Sequence, residues 1–461
     1  MKCLDTFSTP QLELIHKGKV RDSYRIDDKR RMIVVTDRIS AFDNVLNNYI
    51  PYKGAVLNGI SNFWFENTMD IIDNHILEVV DPNINIVKEA DPIRVEVIVR
   101  GYLTGSMWRG YQNGKRTFSG VTVGEGLACN QKFPEPIVTP TTKEDSDREI
   151  SPEDIAKEGW VSSDIYQKMA DISLKLFERG SSVLAQNGIV LVDTKYEFGL
   201  YKGKLILIDE IHTPDSSRFW RASDYEKDPQ SAEQIDKEFV RQWMIKNSKN
   251  GKYPDTLDDS VVEETSRRYV EIFEIITGQK FDYNQFYDSK HRVAQNLCSA
   301  GLIKDGYIAI VMGSASDKTH ADKMKSTIEK YDIKCFYRVI SAHKNGERLV
   351  QLGETLNNSV EPGAVIAVAG RSNGLGGALG ANLSIPVISC PPFKDNADIM
   401  VNVNSSLMMP SLTPASTVVY PDNAALNALR SLNIQRVRKQ MTDEIDRMKK
   451  DLIEADKNIN K

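Results

Sequence analysis

Residues 189–220, IVLVDTKYEFGLYKGKLILIDEIHTPDSSRFW, gather the groups best suited to handling phosphates and carboxylates. The apolar runs 189–193 and 205–209 flank Tyr201-Lys202-Gly203-Lys204, a Gly-containing stretch that reads as the loop of a hairpin. A side-chain period of two puts Asp193, Lys195 and Glu197 on one face of the first strand, and pairing brings Asp209 alongside them. Carboxylates that close repel unless a cation lies between them, which makes Glu197 and Asp209 candidate oxygen ligands for Mg2+ on nucleotide phosphates. The same spacing also fits a solvated strand face. Ser216, Ser217 and Arg218 follow at once, donors suited to an anionic substrate.

Three other groups could do chemistry. Lys19 and Arg21, expected on one face of the strand that opens at Gly18, fit either a polyphosphate grip or an ordinary surface hairpin. None of the Gly-Lys pairs at 18, 114, 203 and 251 is followed by Ser or Thr, so a helix-opening P-loop is absent and any phosphate grip is strand-borne. Arg100-Gly101-Tyr102-Leu103-Thr104-Gly105-Ser106 closes a half-buried strand over 93–99 with two glycines, an arginine and a hydroxyl, the makings of a turn or of an anion site. Of the six histidines, His343 alone falls at an expected strand end among small residues, where a structural role and proton transfer are both open.

These groups need elements to position them. Leu57, Ile60 and Trp64, then Ile165, Met169, Ile172 and Leu176, then Ile235 with Phe239, and Tyr269, Ile272 and Ile276 mark helices, the last ending at Gly278. Residues 133–150, rich in Pro, Thr, Asp and Glu, read as a long loop, either a lid or a solvated connection. The first domain is expected to be α+β and to span residues 1–278, with 279–306 as a weakly periodic linker. From residue 307 the rhythm changes. YIAIVMG, CFYRVIS, AVIAVAG and IPVISC are short apolar runs separated by helical stretches, the pattern of a flavodoxin-like parallel sheet with helices on both faces, over 307–461.

Ligands of such sheets bind beyond the carboxyl ends of the strands. Here those ends carry Gly313-Ser314-Ala315-Ser316-Asp317, Ser341-Ala342-His343-Lys344, Gly370-Arg371-Ser372-Asn373-Gly374 and Cys390-Pro391-Pro392. The first opens a helix whose free N–H groups suit a phosphate. Gly374, Gly376, Gly377 and Gly380 miss the dinucleotide fingerprint, both in spacing and in following the third strand rather than the first. Ile434, Val437, Met441, Ile445, Met448 and Leu452 recur at threes and fours, an amphipathic C-terminal helix for core packing or a subunit contact.

Composition narrows the function classes. With 461 residues the chain exceeds one core, and its net charge of −5, with both signs interspersed, argues against nucleic acid. Five scattered cysteines without a CxxC argue against disulfides and zinc, and the absence of long apolar runs argues against a membrane span. A cytoplasmic enzyme is expected.

The motifs resemble two families. DTKYEFG with LIDEIHTPDSSRFW, and also GKVRDSY, TDRISAFD and GYLTGS, resemble SAICAR synthetase, the ligase that joins aspartate to carboxyaminoimidazole ribotide (CAIR) with ATP. MGSASD, SAHK and AGRSNGLG, over 307 to about 433, resemble aminoimidazole ribotide (AIR) carboxylase, whose product is CAIR. The first resemblance implies two strand-rich lobes with the nucleotide between them. It implies Gly18, Lys19, Arg21 and Asp209 on ATP, Glu197 and Asp209 on Mg2+, and Arg100, Ser106, Asp193, Lys195 and Arg218 on CAIR, with Lys195 also catalytic. The second implies His343 and Lys344 as catalytic groups, and Gly313, Ser314, Ser316, Asp317, Ser341, Ser372 and Gly374 as further AIR or CAIR contacts, with no cofactor. SAHKNG and AGRSNG look like the carboxylases that use CO2 directly rather than those that rearrange N5-carboxy-AIR, although Asn345-Gly346 departs from that type's usual Gly-Pro. The expected small-molecule partners are AIR, CO2 or bicarbonate, CAIR, L-aspartate and ATP, and the resemblance implies a homo-oligomer, an octamer built on the carboxylase domain. The competing readings are a mutase in the second domain, a kinase-like phosphotransferase fused to a nucleotide-sensing module, and a non-catalytic ribotide sensor. The chain lacks the HRD sequence that the phosphotransferase needs.

Overall fold

Residues 3–460, apart from 43, 145, 146, 231, 233 and 234, are described by a computed structural model that separates the chain into two units. Leu14–Ser289, with the stretch up to Asp5, forms the first; Thr6–Glu13 and the chain from Lys290 onward form the second. The 279–306 segment, expected to be a linker, contains a short 3-10 turn, Tyr283–Phe286, and the helix Ser289–Ser299.

Two large sheets frame the first unit, beside two small two-stranded ones among the described residues. Among the described residues, one has five strands in the order Glu13–Lys17, Arg21–Arg25, Arg30–Val35, Ile84–Lys88 and Ile76–Asp81. Lys19 lies in the turn before the second of these strands, not on it, so it does not share a strand face with Arg21 as alternation suggested. The other sheet is centred on Ile189–Tyr201, thirteen residues long and far longer than the apolar run that announced it. Lys204–Ile208 returns against its second half, with Glu197 opposite Ile208, while Val95–Tyr102 and Ser217–Arg221 pair with its first half. The strand Val95–Tyr102 includes Arg100 and Gly101, which sequence had placed just beyond a strand end.

Much of 133–150 is strand rather than loop: Lys132–Thr142 pairs with Val95–Tyr102 from Ile137 to Thr142, and Arg148–Glu149 pairs back on its end. Pro134 and Pro136 hid it, and both fall where the register shifts between Lys132 and Ile137, so their missing N–H groups break no ladder there. Residues 145 and 146 of that segment lie outside the described residues. The helix Ser163–Gln186 buries Met169, Ala170, Ser173, Leu176, Phe177, Gly180 and Leu184 at spacings of three and four, and Ser162 caps it by accepting the Ile165 N–H. Gly180 is there for contact: a Cβ would lie 2.4 Å from the His212 ring. Ile235 precedes the helix Glu238–Lys246 rather than lying in it, and Asp259–Thr277 ends on Gly278 in the left-handed region at φ 69°.

The second unit has a five-stranded parallel sheet among its described residues, ordered Lys334–Val339, Tyr307–Met312, Gly363–Val368, Val387–Ser389 and Ser416–Thr417. The last strand was not foreseen. Alternate residues of Tyr307–Met312 feed two cores: Ile308, Ile310 and Met312 pack with Met324, Ile328, Ala425 and Leu429, and Tyr307, Ala309 and Val311 pack with Leu352, Leu356, Leu375 and Leu379. Helices therefore cover both faces. Register aligns Met312 with Val339 and Val368, which brings the polar segments that follow these strands to one edge. The final helix, Gln435–Ile459, buries Val437 and Met441, while Met448, Leu452 and Ile453 are exposed. Residues 8–11 also join this unit. Thr9 donates to the buried Glu361 at 2.6 Å, Val360 N–H donates to the Ser8 carbonyl, and Gln11 exchanges hydrogen bonds with the Lys304 backbone.

Candidate active sites

Along Ile189–Tyr201 the alternation of Asp193, Lys195 and Glu197 produces two charge clusters rather than one. At Asp193, the Arg218 guanidinium donates at 2.7 Å and Arg100 at 3.5 Å, all three side chains being largely buried. The nearer arginine is held above the ordinary range, Asp193 and Glu238 outweighing the effect of burial, whereas burial depresses Arg100 because its hold on Asp193 is longer. Gly105 lies against this pair at φ 58°, and a Cβ there would sit 2.6 Å from Arg218 Nη2. Ser106 is exposed at the start of the helix Gly105–Gln112. Ser217 donates across to Thr194 on the paired strand, and Ser216 accepts the Thr213 N–H within the local turn, so both hydroxyls already have protein partners.

Two residues further on, Lys195 Nζ meets Glu197, Glu96 at 3.0 Å and Asp209 at 3.7 Å. Arg21 donates to Asp209 at 2.7 Å and to Glu210 at 2.6 Å, and Lys143 pairs with the other oxygen of Glu197. Burial alone would lower the Lys195 pKa, yet Glu197, Asp209 and Glu96 hold it well above the usual lysine range. Asp209 is held well below the carboxylate range, Arg21, Lys195 and Lys143 outweighing its burial, while Glu197 is pushed up, chiefly by burial. The backbone is special here too: Asp209 has φ 67° and His212 φ 49°. His212, pushed down to about 3 by burial, bonds to the Tyr196 hydroxyl at 2.6 Å and pins this turn from behind.

The second cluster lines a cavity of about 610 Å³ together with Gly18, Lys19, Val20, Ile33, Val87, Ala90, Pro92 and Ile208. Its lining is part charged and part apolar. Glu197 and Asp209 share Lys195 as a partner, which puts one oxygen of each carboxylate within reach of a single cationic group. Among the described residues no group of three or more His, Cys, Asp or Glu could hold a metal alone. Mg2+ fits such a place when phosphates complete its shell, since it needs only one or two carboxylates from the protein.

In the second unit, Ser314 caps the short turn Ala315–Asp317 by accepting the Ser316 N–H, with the two hydroxyls 2.8 Å apart, and the helix Lys318–Glu329 follows with Asp317 at its N-cap. His343 and Lys344 are exposed in the turn after Lys334–Val339. The His343 ring abuts Gly374, where a Cβ would lie 2.9 Å from Nε2, so two of the expected segments meet. Burial raises the Asp317 carboxyl above its usual range. The 370–374 segment is held from outside the motif: Arg371, at φ 55°, donates its N–H to Asn402 at 2.6 Å, Asn373 N–H donates to Ser405 at 2.7 Å, and the Asn373 amide donates to Ser406 at 2.8 Å.

The SAICAR synthetase family profile matches residues 14–256, and the AIR carboxylase profile matches residues 307–454. A phosphoribosylaminoimidazole-succinocarboxamide synthase from Bacteroides fragilis is 44% identical over 300 residues, covering 63% of this chain and 96% of that protein. The chain belongs to the SAICAR synthetase family. Its second unit is an AIR carboxylase domain, so the two matched activities lie in one chain, both in purine biosynthesis. The synthase of Legionella pneumophila strain Paris is also 44% identical, over 284 residues, covering 58% of this chain and 89% of its own. The solved SAICAR-synthase from Saccharomyces cerevisiae complexed with SAICAR has 35% identity and a TM-score of 0.56, covering 60% of this chain and 99% of that one. Among the described residues no helix is long and apolar enough to cross a membrane.

Several residues of the synthetase unit escaped sequence reasoning. Lys143, just past the end of the strand Lys132–Thr142, and Glu96, on Val95–Tyr102, meet partners remote in sequence, and Glu210 was passed over beside Asp209 although it takes half of Arg21. In the carboxylase domain Asn402, Ser405 and Ser406 carry no motif, and only the tertiary fold brings them to Asn373.

Proposed function

We propose that the synthetase unit binds ATP in the 610 Å³ cavity and CAIR beside Asp193, and forms SAICAR through an acyl phosphate. The adjacency along one strand of the Lys195–Glu197–Asp209–Arg21 cluster and the Asp193–Arg100–Arg218 cluster carries this reading. Val20, Ile33, Val87, Ala90 and Ile208 offer an apolar slot for the base, while Gly18, Lys19 and Arg21 face the phosphates. Arg100, Ser106, Asp193, Lys195 and Arg218 hold the ribotide. A CAIR carboxylate oxygen attacks the γ-phosphorus, the bond to the β-phosphate oxygen breaks, and ADP leaves. The aspartate amine then attacks the acyl carbon, phosphate departs, and the new amide nitrogen gives up its proton. Lys195, kept charged by three carboxylates, steadies negative charge at the transferring group. Glu197 and Asp209 would hold Mg2+, which neutralises phosphate charge when bound.

For the carboxylase domain we infer direct use of CO2. The AIR amino group makes the neighbouring ring carbon nucleophilic, so a bond to CO2 needs orientation and a base but no metal or biotin. Ser314, Ser316 and the helix opening near Asp317, with Gly313, take the ribose phosphate. Lys344, Ser341, Ser372 and Gly374 orient substrate and carboxylate, and His343 takes the ring proton once the new bond has formed. The sequence of the SAHKNG and AGRSNG segments, and the packing of the His343 ring on Gly374, support this reading. An octamer built on this domain is part of the proposal. Purified protein given AIR and labelled bicarbonate without ATP tests the carboxylase reading: label in CAIR supports it, and conversion of N5-carboxy-AIR alone replaces it with a mutase. Adding ATP, Mg2+ and aspartate tests the ligase by formation of SAICAR and ADP.

A further inference from the structure

Arg38 is more than nine-tenths buried and is committed to the turn that opens the nucleotide cavity. Its Nη1 and Nη2 donate to both oxygens of the buried Asp22 carboxylate, at 3.0 and 2.7 Å. Nη2 also donates to the Gly18 carbonyl and Nε to the Lys19 carbonyl, each at 3.1 Å. Thr36 takes the next carbonyl, that of Val20, with its backbone N–H at 3.0 Å and its hydroxyl at 2.9 Å. Three successive carbonyls are thereby drawn to one side. In a trans peptide the C=O and the following N–H point in opposite directions, so the amides of Lys19 and Val20 turn away from Arg38. Gly18, Lys19, Val20 and Arg21 all line the cavity. The turn is tight: Gly18 N–H donates to the Arg21 carbonyl at 2.8 Å, and a Cβ on Gly18 would lie 2.6 Å from that oxygen.

We propose that Arg38, locked by Asp22, is a positioning residue that holds the 18–20 turn with its amides and the Lys19 side chain directed at the outer phosphates of ATP. The inference rests on the reading of this cavity as the ATP site. The planar guanidinium spans a carboxylate and two carbonyls at once, which a lysine ammonium at the same place cannot do. Arg38→Lys therefore keeps the charge and loses the fork.

The test uses the full chain and titrates ATP and AMP calorimetrically, alongside steady-state KM values for ATP and CAIR. In Arg38→Lys the ATP affinity is expected to fall at least tenfold while AMP, which lacks the outer phosphates, stays within twofold, and KM rises for ATP but not for CAIR. Equal weakening of ATP and AMP, a parallel rise in both KM values, or no change at all overturns the proposal. Should Arg38→Lys lose the thermal transition of the synthetase unit, Asp22→Asn carries the test. It leaves the guanidinium in place with a weaker anchor, and a threefold or larger loss confined to ATP is expected, with equal or absent losses counting against the idea. A wild-type protein that does not prefer ATP to AMP defeats the site reading itself, a result distinct from either variant's.

Discussion

Replacing Asp209 by Asn removes one negative charge from the synthetase cluster with little change of shape. Asp209 has φ 67°, a conformation that Asn adopts as readily as Asp, so the turn is kept. Its carboxylate faces Arg21 at 2.7 Å and Lys195 at 3.7 Å, and in the proposed complex it faces the metal as well. A unit charge about 4 Å from a cation is worth about 4 kcal/mol at an effective dielectric of about 20. The side chain is 20% exposed, and losing the charge also relieves repulsion with Glu197; these offsets leave about 3 kcal/mol, roughly a hundredfold in kcat/KM for ATP. The assay follows SAICAR and ADP over a range of Mg2+ concentrations and measures carboxylase turnover on the same sample. The deficit is expected to shrink as Mg2+ rises, with carboxylase activity unaltered. Near-normal ligase turnover at ordinary Mg2+ would refute the metal and phosphate assignment, and a parallel loss of carboxylation would refute separate sites.

Gly105→Ala places a Cβ at φ 58° and 2.6 Å from Arg218 Nη2, so KM for CAIR is expected to rise tenfold or more at a stability cost of about 1–2 kcal/mol; an unchanged KM in a destabilised protein would count against Arg218 as a ribotide contact. His343→Asn is expected to lower carboxylation by about two orders of magnitude or more and to leave the ligase within twofold, and retention of both activities would remove His343 from the proton-transfer role. His212 stays neutral in the folded protein down to about pH 3, whereas the unfolded chain protonates it near its ordinary value of 6.5, so unfolding takes up a proton between these limits and stability falls as pH is lowered. His212→Asn should make the stability of the synthetase unit less steep in this window by about 1.4 kcal/mol per pH unit, measured by urea unfolding from pH 7 to 4; an unaltered slope would contradict the buried neutral imidazole.

Local periodicity carried the parts of the site that lie along one strand. Asp193, Lys195 and Glu197 were legible because a strand repeats every two residues, and Asp209 because a hairpin fixes its neighbour Ile208 opposite Glu197. The parallel sheet was legible for a similar reason, since strands buried on both faces read as unbroken apolar runs. What sequence hid was pairing at long range. Lys143 reaches Glu197 from the residue after a strand that its prolines disguised, and Glu96 reaches Lys195 across a separation of 99 residues. The separation of Asp193 from the Lys195 cluster was also hidden, because it depends on which arginines the neighbouring strands deliver. The attachment of residues 8–11 to Glu361 and Lys304 joins positions some three hundred residues apart and has no periodic signal at all.

Two consecutive reactions at separate sites in one chain can be followed by isotope. The full-length protein is given AIR, labelled bicarbonate, aspartate and Mg2+, and ATP is added after the first product has accumulated. Labelled CAIR is expected before ATP, and its conversion into labelled SAICAR, with stoichiometric ADP, only afterwards. Label that enters CAIR only when ATP and a separate N5-carboxylating enzyme are supplied, or SAICAR that never carries label, would contradict that order of events.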